Sequence, residues 1–527
     1  MTNLMPASPQ SDTLPAANQG TQAIPAAPAL PLELVAQLCQ ALEDEEILYC
    51  HWKSNNALER SASGENDLDL LISRGDANRF LALLTRLGFR PVRPPADKQM
   101  AGVLDYFGFD EGSGRLVHVH AHFQLAMGHD MTKNIRLAIE PAYLASARRK
   151  GLFSVPAPEF EYVVLVLRMM LKHSSWDAML SREGRLKASE RRELEDLQAE
   201  SDPAAVQSLL TAHLPFISPA LFADCVKALK PGCAAPFRAR TAHKLQGLLQ
   251  SSATHPGAVD AFLKLWRRGV LMLRRRLLKT SAKYTPAIGG AMIAILGGDG
   301  AGKTTALDGL HGWLSKVFET RRVHMGKPAW SPLTVGIRSI LKAGQVLGLY
   351  PLEASFEATI EQKSLVSPGY PYLIREVLRA RDRYNTYVRA RRAAARGALV
   401  LLDRFPMAQI EQMDGMQTER FIRTIHEGPR RDQILCPRPD SRLARYLVKL
   451  EEGYYHRILQ PDLLAVLRVH PDIAVQRKTD EEPASVHRRS SEIWALDWKD
   501  SGAFVIDSSQ PKAVVLATLK VLTWQRV

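Results

Sequence analysis

A glycine-rich turn between an apolar run and a helical pattern restricts the fold of this chain more than any other feature. Residues 291–296 read AMIAIL, an uninterrupted apolar run typical of a strand buried on both faces of a parallel sheet. Residues 297–304 read GGDGAGKT and fit the spacing G-x-x-x-x-G-K-[ST]. Leu307, Leu310 and Leu314 follow at helical spacing. The order of strand, turn and helix predicts one unit of an α/β domain.

The composition of this turn predicts a phosphate-binding loop. Glycines adopt positive φ at low cost, so successive backbone N–H groups can converge on phosphate oxygens at a helix N-terminus. In such a loop Lys303 reaches the β and γ phosphates, and the Thr304 hydroxyl holds Mg²⁺. The alternative is an ordinary glycine-rich turn. The predicted nucleotide-binding residues are Gly297, Gly298, Asp299, Gly300, Ala301, Gly302, Lys303, Thr304 and Thr305.

Four more apolar runs alternate with amphipathic segments after this turn. They are RVHMG near Val323, ALVLLD at 398–403, LLAVLRV at 463–469 and AFVID at 503–507. This alternation predicts an α/β fold with a doubly wound parallel sheet. Ligands of such sheets bind outside the carboxyl ends of the strands, so the residues that follow each run are the candidates for chemistry.

Charged residues follow two of these runs. Asp403 ends ALVLLD, where a carboxylate can hold Mg²⁺ directly or through water, and Arg404 can bridge a second phosphate. The segment after residue 470 places Arg477, Arg488 and Arg489 around a short acidic loop. Such a segment could close over a triphosphate as a lid, or it could be a solvated helix face.

Together these motifs resemble the thymidylate kinase family of P-loop nucleoside monophosphate kinases. The resemblance rests on GGDGAGKTT, on LLDRF, and on PDLLAVLRVHPDIAVQRK followed by VHRR, from residue 291 to the C-terminus. It implies ATP with Mg²⁺ as the donor, Asp299 near the acceptor nucleotide and Arg404 on the acceptor phosphate. The catalytic residues implied are Lys303, Asp403, Arg404, Arg477, Arg488 and Arg489. Gly300 stands where some members carry a loop arginine, so the lid would have to supply that charge.

Two departures from the family leave the acceptor open. Leu296 precedes the first loop glycine, where members usually have Glu. Members also tend to follow the Asp-Arg pair with a Ser and an Ala-Tyr-Gln stretch, whereas residues 403–417 of this chain read DRFPMAQIEQMDGMQ. The sequence therefore predicts phosphoryl transfer to a nucleoside monophosphate or similar small acceptor. The alternatives are a non-nucleotide acceptor, such as a sugar or polysaccharide precursor, and an ATP-binding switch or scaffold without turnover.

A second candidate site lies near the N-terminus. In DLDLLI, Asp67 and Asp69 are two apart, so a strand would place both carboxylates on one face, where they could share Mg²⁺. The preceding Lys53-Ser54 pair and this D-x-D motif resemble the small nucleotidyltransferase fold over residues 32–149, with Lys53 in place of the usual glycine. Whether this domain is catalytic or only binds a ligand stays open.

Three histidines alternate in RLVHVHAHFQL, where that fold usually supplies a third carboxylate. His118, His120 and His122 should point to one side of a strand. They could bind a transition metal or assist a divergent site. If that face is exposed to solvent, they need have no ligand at all.

These patterns predict four segments along the chain. Residues 1–30 form a disordered leader, 31–150 an α+β nucleotidyltransferase-like domain, 151–285 a helical connector ending in a basic linker, and 286–527 the P-loop kinase domain. The leader lacks the pattern of a secretory signal, and no run approaches eighteen uncharged apolar residues, which favours a soluble cytoplasmic protein.

The charge balance favours anionic partners. The chain has 69 basic and 55 acidic residues, a net charge of +14. Part of the excess lies in WRRGVLMLRRRLLK at 266–279, which could be the solvated face of a linker helix or could touch an anionic membrane peripherally. We expect ATP and a small acceptor as partners and no stable nucleic acid complex; a homodimer stays open. Five scattered cysteines indicate neither a disulfide framework nor a zinc finger.

Overall fold

A computed structural model of the protein describes residues 30–173, 186–278, 283–349, 369–407, 409–410, 416, 418 and 441–527. The predicted leader lies outside the described residues except for Leu30. Within the stretch that departs from the kinase family pattern, residues 403–417, residues 408, 411–415 and 417 also lie outside them.

The N-terminal part is built on a mixed six-stranded sheet with the order β1-β2-β5-β4-β3-β10. Strands β2 and β5 run parallel, and the other neighbours run antiparallel. The strands are β1 (Tyr49–His51), β2 (Leu68–Ile72), β3 (Arg90–Arg93), β4 (Val103–Asp110), β5 (Arg115–His122) and β10 (Thr285–Pro286). Two hairpins accompany them: β6 (Leu125–Met127) with β7 (Ile135–Leu137), and β8 (Arg148–Lys150) with β9 (Phe153–Val155).

Alternation along β2 gives this sheet two different faces. Leu68 and Leu70 are buried against two helices of the same part, in a cluster that includes Leu38 and Phe80. Asp69 lies between them in sequence and therefore points to the opposite face. The helices of this part are α1 (Glu33–Asp44), α2 (Leu58–Ala62), α3 (Ala77–Arg86) and α4 (Glu140–Ala145).

Six helices follow and pack on the N-terminal part. The apolar side chains of the first five form one cluster with Cys50, Trp52 and Leu71 of the β1 and β2 region. They are α5 (Pro158–His173), α6 (Ala188–Glu200), α7 (Pro203–His213), α8 (Pro219–Leu229), α9 (Ala235–Leu248) and α10 (Gly257–Leu273). Within the described residues, no helix combines the length and apolar character that crossing a bilayer requires.

The basic linker forms the second half of α10 and a further turn at Arg274–Leu278. Two of its arginines contact the N-terminal part: the Arg267 guanidinium donates to Met131 O at 2.6 Å, and Arg268 lies 3.0 Å from His129 Nε2. Trp266 on the same helix is 61% exposed. The membrane contact and the homodimer stay predictions.

The C-terminal part contains the expected parallel sheet, with five strands in the order β12-β13-β11-β14-β15. The apolar runs predicted as strands form β11 (Met292–Gly297), β12 (Thr320–His324), β13 (Leu399–Asp403), β14 (Leu463–Arg468) and β15 (Phe504–Asp507). Apart from Asp403 and Arg468 at their ends, the central strands are apolar because both of their faces are covered. The predicted α/β architecture is thus confirmed for this part.

Helices cover both faces of this parallel sheet. Leu307 and Leu310 pack on one face with Leu519, while Tyr387 and Ile493 pack on the other. The described helices are α11 (Lys303–Leu314), α12 (Pro332–Val346), α13 (Gly369–Ala395), α14 (Arg442–Tyr455), α15 (Pro471–Arg477), α16 (Pro483–Ala495) and α17 (Lys512–Arg526). Because the strands are parallel, their carboxyl ends meet at one edge, where the loop after β11 begins.

An aromatic cluster joins the two sheets. Phe107 of β4 lies in the same apolar cluster as the core of the parallel sheet and contacts the rings of Tyr284 and Phe318 at 5.3 and 5.5 Å. Strand β10, next to Tyr284, pairs with β3. The N-terminal sheet therefore ends in residues of the segment that leads directly into β11.

Candidate functional site

The turn after β11 has the geometry that the glycine pattern predicts. Gly300 and Gly302 have φ of 72° and 82°, a region that side-chain-bearing residues rarely adopt. Gly302 is the N-cap of α11, so the helix begins at Lys303 with its first N–H groups directed towards the turn. Thr304 and Thr305 lie exposed in the first turn of this helix.

Lys303 folds back over this loop. Its ammonium donates to Gly297 O at 2.9 Å and Gly298 O at 2.7 Å, and its side chain is only 10% exposed. Burial lowers the pKa of Lys303 to about 8, although the nearby Asp299 carboxylate acts in the opposite direction. A poorly hydrated ammonium group therefore lies at the centre of the loop.

Asp299 is the point where the charges of the loop, the neighbouring strand and the arginine-rich segment meet. Asp299 is 4% exposed, and Arg489 Nη1 lies 2.7 Å from Asp299 Oδ2. Lys303 Nζ and Arg404 Nη2 lie 3.9 and 4.0 Å from the other carboxylate oxygen. Three predicted site cations therefore surround one buried acid.

Asp403 and Arg404 lie at the end of β13, the strand next to β11. Asp403 is in register with Ile295 and with His324 on the far neighbour β12. His324 Nε2 lies 3.9 Å from Asp403 Oδ2, a contact that the sequence interpretation missed although His324 lies within the RVHMG run and ends β12. Arg404 has φ of 65°, a strained value for a residue with a side chain. The chain turns sharply there and aims Arg404 towards Asp299.

The arginine-rich segment is helical, and its arginines divide between two places. Arg489 on α16 contacts both Asp299 and Glu481, the latter at 2.8 Å. Arg477 at the end of α15 donates to Ser508 O at 2.8 Å, after β15. Arg488 lies exposed on α16. The structure therefore brings Arg489 to the loop and places Arg477 against a different strand end.

Helices α15 and α16 press directly on the loop. The Ser490 hydroxyl donates to Asp299 O at 2.9 Å. A Cβ on Gly298 would lie 2.7 Å from Ser490 Oγ, and one on Gly300 would lie 2.6 Å from Ala474 O. Both glycines are thus needed for this contact, and Gly300 is also needed for its backbone conformation.

The predicted histidines and aspartates of the N-terminal part lie together on one face of the mixed sheet. Asp69, His120 and Asp105 are abreast on β2, β5 and β4. His120 Nδ1 lies 3.1 Å from Asp69 Oδ1, and His120 Nε2 lies 3.0 Å from Asp105 Oδ1. His118 joins the same group between Asp67 at 2.9 Å and Asp105 at 3.1 Å.

Strong electrostatic coupling follows from this packing. Burial alone lowers the pKa of His120, but hydrogen bonds to Asp105 and Asp69 outweigh it and raise that pKa to about 9. For His122 burial prevails and lowers the pKa to about 4. The pKa of Asp105 falls to about 2 because the two histidine contacts outweigh its burial.

One expectation for this face was wrong, and one residue of it was missed. The alternative of an exposed histidine face is wrong, since His118 and His122 are 8% and 3% exposed. They are covered because Phe107 stacks on His118 at 4.2 Å and Trp52 packs on His122 at 5.1 Å. The sequence interpretation also missed Asp105, a third carboxylate on a neighbouring strand. Only the antiparallel register of β4 with β5 brings it next to His120.

The pair Lys53-Ser54 lies beside the same face, after β1. Lys53 Nζ is 2.8 Å from Asp69 Oδ1. Ser54 has φ of 60°, and its N–H donates to Glu193 Oε1 at 3.1 Å. Lys53 therefore lies next to Asp69, while nucleotidyl transfer stays a prediction.

Comparisons with known proteins support ATP binding only coarsely. No protein-family profile matches the chain. Proteins from two strains of Escherichia coli, each named Uncharacterized ATP-binding protein YghR, are 24% identical over 230 residues, which is 43% of this chain and 83% of theirs. A thymidylate kinase structure from Candida albicans aligns at 16% identity and a TM-score of 0.27, covering 44% of this chain and 89% of that one. That TM-score is too low to transfer residue roles, and none of these comparisons supports the nucleotidyltransferase resemblance.

Proposed function

We propose that the C-terminal part is an ATP-dependent kinase that transfers the γ-phosphoryl group to a small acceptor bearing a phosphate or hydroxyl. The observation that carries this proposal is the convergence of Lys303, Arg404 and Arg489 on Asp299, at the carboxyl edge of a parallel sheet. The sequence similarity to an ATP-binding protein supports the donor.

The loop after β11 would hold the triphosphate. Its glycines leave the backbone open, and the N-terminus of α11 favours anions. Lys303 now donates to Gly297 O and Gly298 O, and it can exchange these neutral acceptors for phosphate oxygens without leaving the loop. Charge-assisted bonds are the stronger ones, so the exchange favours the bound state.

Mg²⁺ fits the donors at this edge of the sheet. The Thr304 hydroxyl and the Asp403 carboxylate offer the oxygen ligands that this ion prefers, and Asp403 has 23% of its side chain exposed for a ligand to reach. Bound there, Mg²⁺ would neutralise charge on the phosphates. Thr304 and Asp403 would position it, and Arg404 beside Asp403 would face the acceptor phosphate.

Arg489 would supply the positive charge that the glycine at position 300 cannot. In the present structure it bridges Asp299 and Glu481. Phosphate oxygens near Asp299 would compete for its guanidinium, which can bind two oxygens at once. Because α16 already packs against the loop, Arg489 could then turn to the transferred group without a closing movement of the helix. Arg477 and Arg488 remain proposed lid residues.

The acceptor is the open part of this proposal. A nucleoside monophosphate such as thymidylate fits the family resemblance, whereas the different residues after Arg404 favour a search among sugar and polysaccharide precursors. The third hypothesis is an ATP-binding switch or scaffold without turnover. A transfer assay distinguishes it from a kinase of either acceptor class.

The test is transfer of γ-labelled phosphate from ATP to a panel of acceptors by the full chain with Mg²⁺. The panel includes thymidylate, other nucleoside monophosphates, nucleosides, sugars and sugar phosphates. Lys303→Ala should lower turnover by a factor on the order of 10² to 10³, because positioning and electrostatics supply most of such catalysis. Lys244→Ala, which alters an exposed lysine of α9, is the matched control and should retain activity.

Three outcomes distinguish the kinase hypothesis from the ATP-binding switch. Transfer to any acceptor that is lost in Lys303→Ala supports the kinase. ATP binding without transfer to any acceptor favours the switch. If ATP does not bind, or if Lys303→Ala behaves as the wild type, the proposal is overturned.

A further inference from the structure

Three ligand atoms on the mixed sheet lie close enough together to contact a single ion, independently of the kinase proposal. One ligand atom from each of Asp69, His120 and His122 lies within 4.8 Å of the other two. Asp69 Oδ1 is 3.1 Å from His120 Nδ1 and 3.4 Å from His122 Nε2. Zinc bonds of ~2.0 to 2.1 Å give a tetrahedron with edges of about 3.3 Å, so these spacings need little change to receive an ion.

Ordinary ion pairing does not explain the environment of His122. It is 3% exposed, and neither of its ring nitrogens has a hydrogen-bond partner among the described residues. Its Nε2 faces Asp69 at 3.4 Å without hydrogen-bond geometry. A buried imidazole with neither nitrogen hydrogen-bonded is costly, and coordination of a cation removes that cost at one of them.

The second layer around these three residues has the form usual for a metal site. His120 Nδ1 faces Asp69, and the opposite ring nitrogen, Nε2, bonds Asp105 Oδ1 at 3.0 Å. A carboxylate in that position fixes the orientation of a coordinating imidazole and makes it a better ligand. Asp105 is itself held by His118 at 3.1 Å, which in turn bonds Asp67.

The geometry points to a divalent transition-metal site formed by Asp69, His120 and His122, with Asp105 and His118 as its supporting layer. Two imidazoles and one carboxylate suit Zn²⁺ or a similar ion rather than Mg²⁺, which prefers oxygen ligands. Three protein ligands leave a fourth position for water or a substrate oxygen.

The Lys53 ammonium lies next to the proposed metal site. Its ammonium lies 2.8 Å from Asp69 Oδ1, and 26% of its side chain is exposed. A divalent ion on Asp69 repels it, and the exposed part of the side chain gives it room to withdraw. Lys53 therefore opposes binding, which makes its removal a specific test.

The test is Zn²⁺ binding by the chelator-stripped full chain without nucleotide, measured by calorimetry and elemental analysis. The wild type should bind one equivalent more than Asp69→Asn and His122→Gln, and excess Mg²⁺ should not displace it. His173→Gln replaces a buried histidine that bonds Glu190 outside this group, and it should bind as the wild type does. Lys53→Met should bind about tenfold more tightly, because a like charge is removed.

Several results would overturn the assignment. These are equal stoichiometry in the wild type, Asp69→Asn and His122→Gln, or binding by Lys53→Met that is unchanged or weaker. Loss of the ion in Asp67→Asn but not in His122→Gln would place it between Asp67, His118 and His120 instead. X-ray absorption of the zinc-loaded wild type requires no variant to fold; it should report imidazole and oxygen neighbours, and a sulfur shell would contradict the site.

Discussion

Asp299 pairs with Arg489, so the two residues should have opposite effects on ATP binding. Arg489→Ala leaves a buried carboxylate without its 2.7 Å partner, close to where the phosphates would lie. ATP affinity should fall by about tenfold to a hundredfold. Adding Asp299→Asn removes the repulsion, so the double variant should recover most of the affinity in calorimetric titration. A double variant as weak as Arg489→Ala would instead mean that Arg489 acts only by touching phosphate.

The pKa of Lys303 gives ATP binding a pH dependence. With a pKa of about 8, caused mainly by burial, Lys303 loses its proton as the pH rises through 8, while ATP keeps its charge. Binding above that pH must return the proton to the amine. The Kd for ATP should therefore rise by up to about tenfold per pH unit between pH 8 and 10, measured in titrations at fixed ionic strength.

Lys303→Arg is the control for this pH effect, because a guanidinium stays charged throughout the range. Its affinity can be lower at pH 7, but its profile should be flat. A flat profile in the wild type would mean that Lys303 keeps its proton when buried, contrary to this prediction.

At the scale of elements, the loop and α15 pack closely together because residue 300 has no side chain. Gly300 combines φ of 72° with a space in which a Cβ would lie 2.6 Å from Ala474 O. Gly300→Ala should therefore push α15 away, lower the melting temperature and weaken ATP binding. Gly312→Ala in α11 meets no atom within 4 Å and should be neutral or stabilising by about 0.5 to 1 kcal/mol. Thermal unfolding and ATP titration of both variants measure the difference, and equal behaviour would refute the contact.

Local patterns were sufficient to predict the parallel sheet and its loop. The strand at Met292–Gly297, the turn and the helix at Lys303–Leu314 are consecutive, and each has its own periodicity. The positions of Asp403 and Arg404 follow from one further strand, because parallel strands end at the same edge. The division between Arg477 and Arg489 was not predictable, since it depends on how α15 and α16 pack.

Long-range pairing explains what the sequence did not reveal about the mixed sheet. The alternation of His118, His120 and His122 predicts a common direction but not what covers them. Their burial depends on Phe107 and Trp52, from other strands and loops. Asp105 lies in a run without a motif, and its role depends on the register of β4. Motifs contained within one segment were therefore visible, and ligand sets assembled from separate strands were not.

For the whole molecule, one apolar cluster spans the mixed and the parallel sheet. It contains Val92, Phe107 and Phe109 from the first and the core of the second. Rings of this cluster extend to the histidine face, since Tyr284 contacts both Phe107 and His118, at 5.3 and 5.2 Å. The two candidate sites are thus connected by packed side chains rather than by a free linker, and we expect both parts to unfold together.

Trp524 on α17 tests this expectation. It is 6% exposed, its indole donates to Gly88 O of the N-terminal part at 3.1 Å, and its ring lies 6.3 Å from Phe109 and from Phe318. Trp524→Ala should cost about 3 to 5 kcal/mol and separate the two parts. Calorimetry should show one transition for the wild type, raised by ATP with Mg²⁺, and two for the variant, of which ATP raises one. Trp266→Ala, at an exposed position of α10, should keep the single transition. If Trp524→Ala also keeps it at the wild-type temperature, the cluster does not couple the two parts.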